Sequence, residues 1–144
     1  MKKHNYLNHS ELSFYRKHGY LVKHGLIPIK TIQNINKKIK FLKTNKEYIK
    51  HFEHLNVSGK KFCVRLKDPH LVNRLFYDLS KNRKIISILS DLLGGSVRFH
   101  HSKLNFKPPS SKAGVVDWHQ DWSFYPHTND DLIAIGIYLE DCFE

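Results

Sequence analysis

Residues 97–107 constrain the fold more than any other stretch of the chain. Val97, Phe99, His101, Lys103, Asn105 and Lys107 alternate with Arg98, His100, Ser102, Leu104 and Phe106. Successive side chains of a strand point to opposite faces, so this alternation predicts a strand with polar groups on one face in mid-run. Polar residues there, beside apolar ones covered from outside, suit a barrel whose interior is a polar site. His100 and His101 are expected on opposite faces, with His101 inward. Pro108 and Pro109 end the strand, because proline has no N–H for a ladder.

The chain before this strand reads as mainly helical, with two short strands. Ser10 is the expected N-cap of a helix over 11–18 that carries Glu11 in its first turn and ends at Gly19. Tyr20–Val22 reads as a short strand. Pro28 suits the first turn of a second helix, in which Ile29, Ile32, Ile35, Ile39 and Leu42 recur at intervals of three and four. Its opposite face carries Lys30, Lys37, Lys38 and Lys40. His51 and His54 could share a helix face but fit a polar loop better. Phe62, Val64 and Leu66 alternate through a strand over 60–66, and Arg65 points to its other side. Asp68-Pro69 opens a helix with the stripe Leu71, Val72, Leu75, Phe76 and Leu79. A further helix over 82–93 would bury Ile85, Ile86, Leu89 and Leu92 and stop at Gly94-Gly95.

After the prolines come a polar loop over 110–114 and then Trp118-His119-Gln120-Asp121-Trp122. In an extended segment His119 and Asp121, two apart, would converge on one point. That is two-thirds of the 2-His-1-carboxylate set that holds non-haem Fe(II) on one face and leaves three positions open. A lone His-x-Asp arises often by chance; its flanks carry the weight here. The turn residues 127–130 and an alternating run over 132–139 follow, with Ile133, Ile135, Ile137 and Leu139 on one side.

Composition narrows the setting. All 24 Lys and Arg lie within residues 1–112, whereas the last 32 residues hold seven acids and no Lys or Arg. The net charge of +11 supplies the electrostatic footprint of a nucleic-acid binder, but no recognition motif accompanies it, so nucleic acid is not an expected partner. Cys63 and Cys142 match no zinc spacing and no disulfide framework. No apolar run approaches the roughly 18 residues of a membrane span, and no signal-peptide core follows the basic N-terminus. A cytoplasmic protein is expected, with residues 1–144 as one domain.

The runs LLGGSVRFHHSKLNFKPPS and WHQDWSFYPHTNDDLIAIGIYLEDC resemble the phytanoyl-CoA dioxygenase family of Fe(II)/2-oxoglutarate oxygenases. The resemblance implies an α+β fold: a double-stranded β-helix, or jelly roll, with N-terminal helices packed on the sheet. Residues 1–92 would be mainly helical and residues 93–144 would hold the first core strands. It implies Fe(II) on His119 and Asp121, with 2-oxoglutarate as co-substrate lying against Arg65, Lys103 and Asn105. Trp122, Phe124 and Tyr125 would line the pocket of a small-molecule substrate, and the carboxylate of Asp121 favours hydroxylation over halogenation. In the family a second metal His and a 2-oxoglutarate Arg lie well downstream of the His-x-Asp, beyond Glu144. His127, eight residues after His119, is a poor substitute for that ligand. The expectation is therefore the N-terminal portion of a dioxygenase, completed by further polypeptide or by a second chain, or self-associating through unpaired strand edges. The alternative is a non-catalytic remnant or interaction module of the same fold.

Overall fold

Leu66 has no exposed surface, and the fold is built outward from it. The computed structural model describes residues 6–108, 116–125, 128–129 and 131–141. Within these, β1 (Phe52–Val57), β2 (Lys60–Lys67) and β3 (Lys103–Asn105) form an antiparallel sheet in the order β1-β2-β3. Leu66 pairs with Phe52 on one side and Leu104 on the other, giving an apolar row on one face. The neighbouring row, Glu53–Arg65–Asn105, therefore lies on the opposite face. Ser58 and Gly59 join β1 to β2, both at positive φ (50° and 75°), as a two-residue type I′ connection requires.

Five helices accompany this sheet among the described residues: α1 (His9–His18), α2 (Ile29–Thr44), α3 (Pro69–Val72), α4 (Arg74–Ser80) and α5 (Arg83–Leu93). Helix α2 lays Ile35, Ile39 and Leu42 against Phe52, Leu66 and Phe76 to make the main core. Its first Ile, Ile29, is 71% exposed, so the apolar stripe is used only from its second turn. A second cluster joins Leu7 and Leu12 to Ile88 of α5. Asp91 lies beside it, a buried carboxylate whose Oδ2 accepts the backbone N–H groups of Tyr6 and Leu7, each at 2.8 Å.

Several expectations are corrected. The cap of α1 is Asn8, not Ser10. Asn8 accepts from Glu11 N while Glu11 reaches back to Asn8 N, a capping box that Ser10 is two residues too late to make. The helix expected to run from Asp68 through Leu79 is broken at Asn73 (φ −150°, ψ 138°). The Asn73 side chain accepts from Leu75 N and caps α4, and the break leaves Leu71 78% exposed. In α5 it is Ile88 that is buried and Ile86 that faces out. His51 and His54 lie in no polar loop: His51 closes a short 3-10 turn and His54 is within β1.

The sheet is smaller than the residue pattern predicts. Tyr20–Val22 forms no strand, and of residues 97–107 only Lys103–Asn105 is strand, with single backbone hydrogen bonds just beyond its ends (Phe106 N to Val64 O, 2.9 Å; Asp68 N to Ser102 O, 3.0 Å). Residues 131–138 carry no ladder. A strand exists only with a hydrogen-bonded neighbour, and β2 already has one on each side. The segment is nonetheless docked: Asn36 Nδ2 donates to Leu139 O at 2.9 Å, and Leu139 packs against the main core. Helices packed on a small antiparallel sheet are present; a closed jelly roll is not formed by the described residues. The polar loop 110–114, Pro109, His127 and Cys142 lie outside them.

Candidate metal and co-substrate site

His119 and Asp121 do converge, although not through a regular extended segment. Gln120 is extended, and Asp121 opens a 3-10 turn over Asp121–Ser123. Phe124 N and Tyr125 N both donate back to Asp121 O, at 3.0 and 3.1 Å. The bend brings His119 Nε2 to 3.3 Å from Asp121 Oδ1, with each side chain about one-third exposed.

The second ring nitrogen decides what this pair can hold. His119 Nδ1 lies 2.7 Å from Asp117 O, so it carries the proton and donates. Nε2 then has either a lone pair or a second proton. A second proton would make an ion pair with Asp121. A lone pair would set two electron-rich atoms face to face, which a cation relieves. Two donors at ordinary metal–ligand lengths of about 2.1 Å and at right angles stand about 3 Å apart, close to what is seen. Metal-bound histidines characteristically donate their other N–H to a carbonyl or carboxylate, as His119 does to Asp117. The pair therefore fits a divalent metal. Among the described residues no third His, Cys, Asp or Glu joins it.

The residues assigned to 2-oxoglutarate are brought together by the sheet. Arg65 and Asn105 are ladder partners, and Arg65 Nε donates to Asn105 Oδ1 at 3.2 Å. Lys103 pairs with Lys67 one step away on the same face. Glu53 offsets part of this charge, 2.7 Å from Lys67 Nζ and 3.6 Å from an Arg65 nitrogen. The result is a cationic, solvent-facing row of hydrogen-bond donors suited to a carboxylate.

His101 connects the two groups. It lies two residues before Lys103, and its ring packs on Tyr125 at 4.5 Å. Burial lowers its pKa first, with His100 and Lys103 adding to the effect, while Asp68 and Asp121 pull it upward. His100 and His101 are not on opposite faces, as the alternation predicted. Their Nδ1 atoms are 2.7 Å apart and both rings touch Tyr125. Residues 97–102 have no ladder to enforce alternation, and this pairing could not be read from residue order.

Of the expected substrate-pocket residues, Trp122 and Phe124 are exposed and Tyr125 is half-buried. Phe124 meets the His119 ring edge-on at 5.4 Å, and Trp122 Nε1 donates to Asn129 O at 3.2 Å. Cavities of about 310 and 610 Å³ occur elsewhere, around His70–Tyr77 and between Ile49 and Cys63, and none of the three lines either.

The family model described as phytanoyl-CoA dioxygenase (PhyH) matches residues 15–144. The chain belongs to this family. Within it, a protein of Stutzerimonas stutzeri named probable alpha-ketoglutarate-dependent hypophosphite dioxygenase is 45% identical over 93 residues, covering 65% of this chain and 32% of the relative. The ectoine dioxygenase of Streptomyces anulatus is 26% identical over 82 residues, 54% of this chain and 27% of the relative. That of Nocardia farcinica is 20% identical over 139 residues, 92% of this chain and 46% of the relative. The chain thus spans between about a quarter and just under half of the length of these relatives. No helix among its described residues is long and apolar enough to cross a membrane.

Proposed function

We propose that these 144 residues supply one half of the active site of an Fe(II)/2-oxoglutarate-dependent hydroxylase. The observation that carries this is the 3.3 Å approach of His119 Nε2 to Asp121 Oδ1, with Nδ1 held by Asp117 O. His119 and Asp121 would hold Fe(II). The bound metal would couple oxidative decarboxylation of 2-oxoglutarate to insertion of one oxygen atom into the substrate. Arg65, Asn105 and Lys103 would bind and orient the co-substrate's carboxylates, and Trp122, Phe124 and Tyr125 would flank the substrate. The remaining ligand and the Arg of the family pattern would come from elsewhere in the protein or from a completing chain. A cytoplasmic setting suits both Fe(II) and the Cys63 thiol.

The names of the relatives order the substrates to be tried. Hypophosphite comes first, on 45% identity to the protein named for it, and ectoine second. The test is succinate release from 2-oxoglutarate by the full-length protein under Fe(II) and oxygen, with each substrate in turn. Substrate-dependent succinate that is lost in His119→Ala and Asp121→Ala is the expected result. Succinate release that survives both substitutions would overturn the assignment. None at all, with metal and co-substrate bound, would leave a non-catalytic member of the family.

A further inference from the structure

The metal pair sits on a short exposed turn, and something has to seat it. Of the aromatic residues between 118 and 125, Trp118, Trp122 and Phe124 are exposed and Tyr125 alone is half-buried. Tyr125 is tied to the pair through its own backbone, its N–H donating to Asp121 O at 3.1 Å. Its ring rests on His101 at 4.5 Å and on His100 at 5.4 Å. The histidine side of this contact is fixed in turn. Ser102 Oγ shares a 2.8 Å hydrogen bond with His70 Nδ1, and Phe99 meets the His70 ring at 4.8 Å. Asp68 N donates to Ser102 O at 3.0 Å. Helix α3 and its cap thus hold Phe99 and Ser102, while Tyr125 packs on His100 and His101 between them.

We propose that His101 and Tyr125 are positioning residues that seat the His119–Asp121 turn on the end of strand β3. They act through the ring contact and the Tyr125–Asp121 backbone hydrogen bond, and neither is a metal ligand. The same strand carries Lys103 and Asn105, so the contact also sets the metal pair at a fixed place relative to the co-substrate row. His101 lies two residues before Lys103, so the turn is held close to the start of that row. This inference rests on the metal reading of His119 and Asp121, and its test separates the two.

The full chain is compared as wild type, Tyr125→Phe, Tyr125→Ala, His101→Ala and His119→Ala. Two properties are read: Mn(II) binding by loss of the free-ion EPR signal, and the ring resonances of His119 by long-range proton–nitrogen NMR. Tyr125→Phe keeps the ring and should keep both properties. Tyr125→Ala and His101→Ala should displace the His119 resonances and weaken Mn(II) binding about 10- to 100-fold, the usual effect of losing a group that orients a ligand. Thermal midpoints should stay near wild type, since neither residue belongs to the two cores. Should an alanine variant lose helix content, Tyr125→Leu repeats the comparison. His119 resonances that stay in place in both alanine variants would overturn the proposal, whether or not metal binds. Mn(II) binding equal in wild type and His119→Ala would overturn the metal reading alone, and the resonances would still decide the seating role.

Discussion

Arg65 Nε donates to Asn105 Oδ1 across the β2–β3 ladder, joining residues 40 apart in the chain. The bond is solvent-exposed, so its net contribution to folding is small, below about 1 kcal/mol. Its value is in fixing the guanidinium beside Asn105, one step along the ladder from Lys103. Asn105→Ala should change the urea midpoint little and weaken 2-oxoglutarate binding about 10-fold, as loss of a hydrogen bond to a charged group would. Arg65→Lys should not rescue a loss at Arg65, because lysine lacks the flat two-pronged donor. Calorimetric titration of 2-oxoglutarate in the presence of Mn(II) checks both. Unchanged affinity in Asn105→Ala would remove this row from the co-substrate site.

Metal should stabilise the folded chain by mass action. At a ligand concentration 100 times the dissociation constant the gain is about 2.7 kcal/mol. Adding Mn(II) to the wild type should raise the thermal midpoint by several degrees, and a chelator should reverse it. Asp121→Ala should abolish the increment and leave the metal-free midpoint nearly unchanged, since Asp121 is partly exposed and outside both cores. A rise of equal size in the variant would place the bound ion elsewhere.

Asp91 should matter to stability far more than its place in an apolar helix stripe indicates. Its carboxylate satisfies Tyr6 N and Leu7 N, 85 and 84 residues away, and so pins the N-terminal segment to α5. Asp91→Ala would leave these donors without that acceptor at a buried site, a loss of about 2–4 kcal/mol. Denaturant unfolding measures it. A loss under about 0.5 kcal/mol would mean that solvent replaces the carboxylate without cost.

Glu11 gives a pH dependence of known sign. Its hydrogen bond from Lys23 holds its carboxyl below the usual range, and the bond from Asn8 N adds to this. A depressed folded-state pKa means stability that is present above the unfolded-state value and is lost as pH falls through the folded one. Glu11→Gln should therefore be less stable than wild type near neutral pH, with the gap closing below about pH 4. Urea midpoints for the two proteins across that range provide the check. A gap independent of pH would assign the effect to packing.

Much of this protein is legible in residue order alone. The stripe of α2 beyond Ile29, the glycine that ends each of α1 and α5, strand β2 and the spacing of His119 and Asp121 all follow from local rules. Periodicity, cap chemistry and a two-residue spacing need no knowledge of distant partners. Lys103 and Asn105 fall on the face expected of them for the same reason.

What residue order left open depended on which segments meet. Residues 97–102 and 131–138 have the composition of strands but no ladder neighbour among the described residues, and unpaired backbone takes no strand form. Without that ladder, His100 and His101 turn to each other and to Tyr125. Asn73 breaks a helix that its apolar spacing would continue, because its side chain caps the next one. Asp91 looks like a misplaced charge until Tyr6 and Leu7 arrive beside it. The sequence by itself offered His119 and Asp121 as a candidate metal pair and, through the family resemblance, Arg65, Lys103 and Asn105 as candidates for a carboxylate. Tertiary structure alone decided that these groups stand on two paired strands and a neighbouring turn, since ring contacts and cross-strand hydrogen bonds join groups that periodicity does not relate.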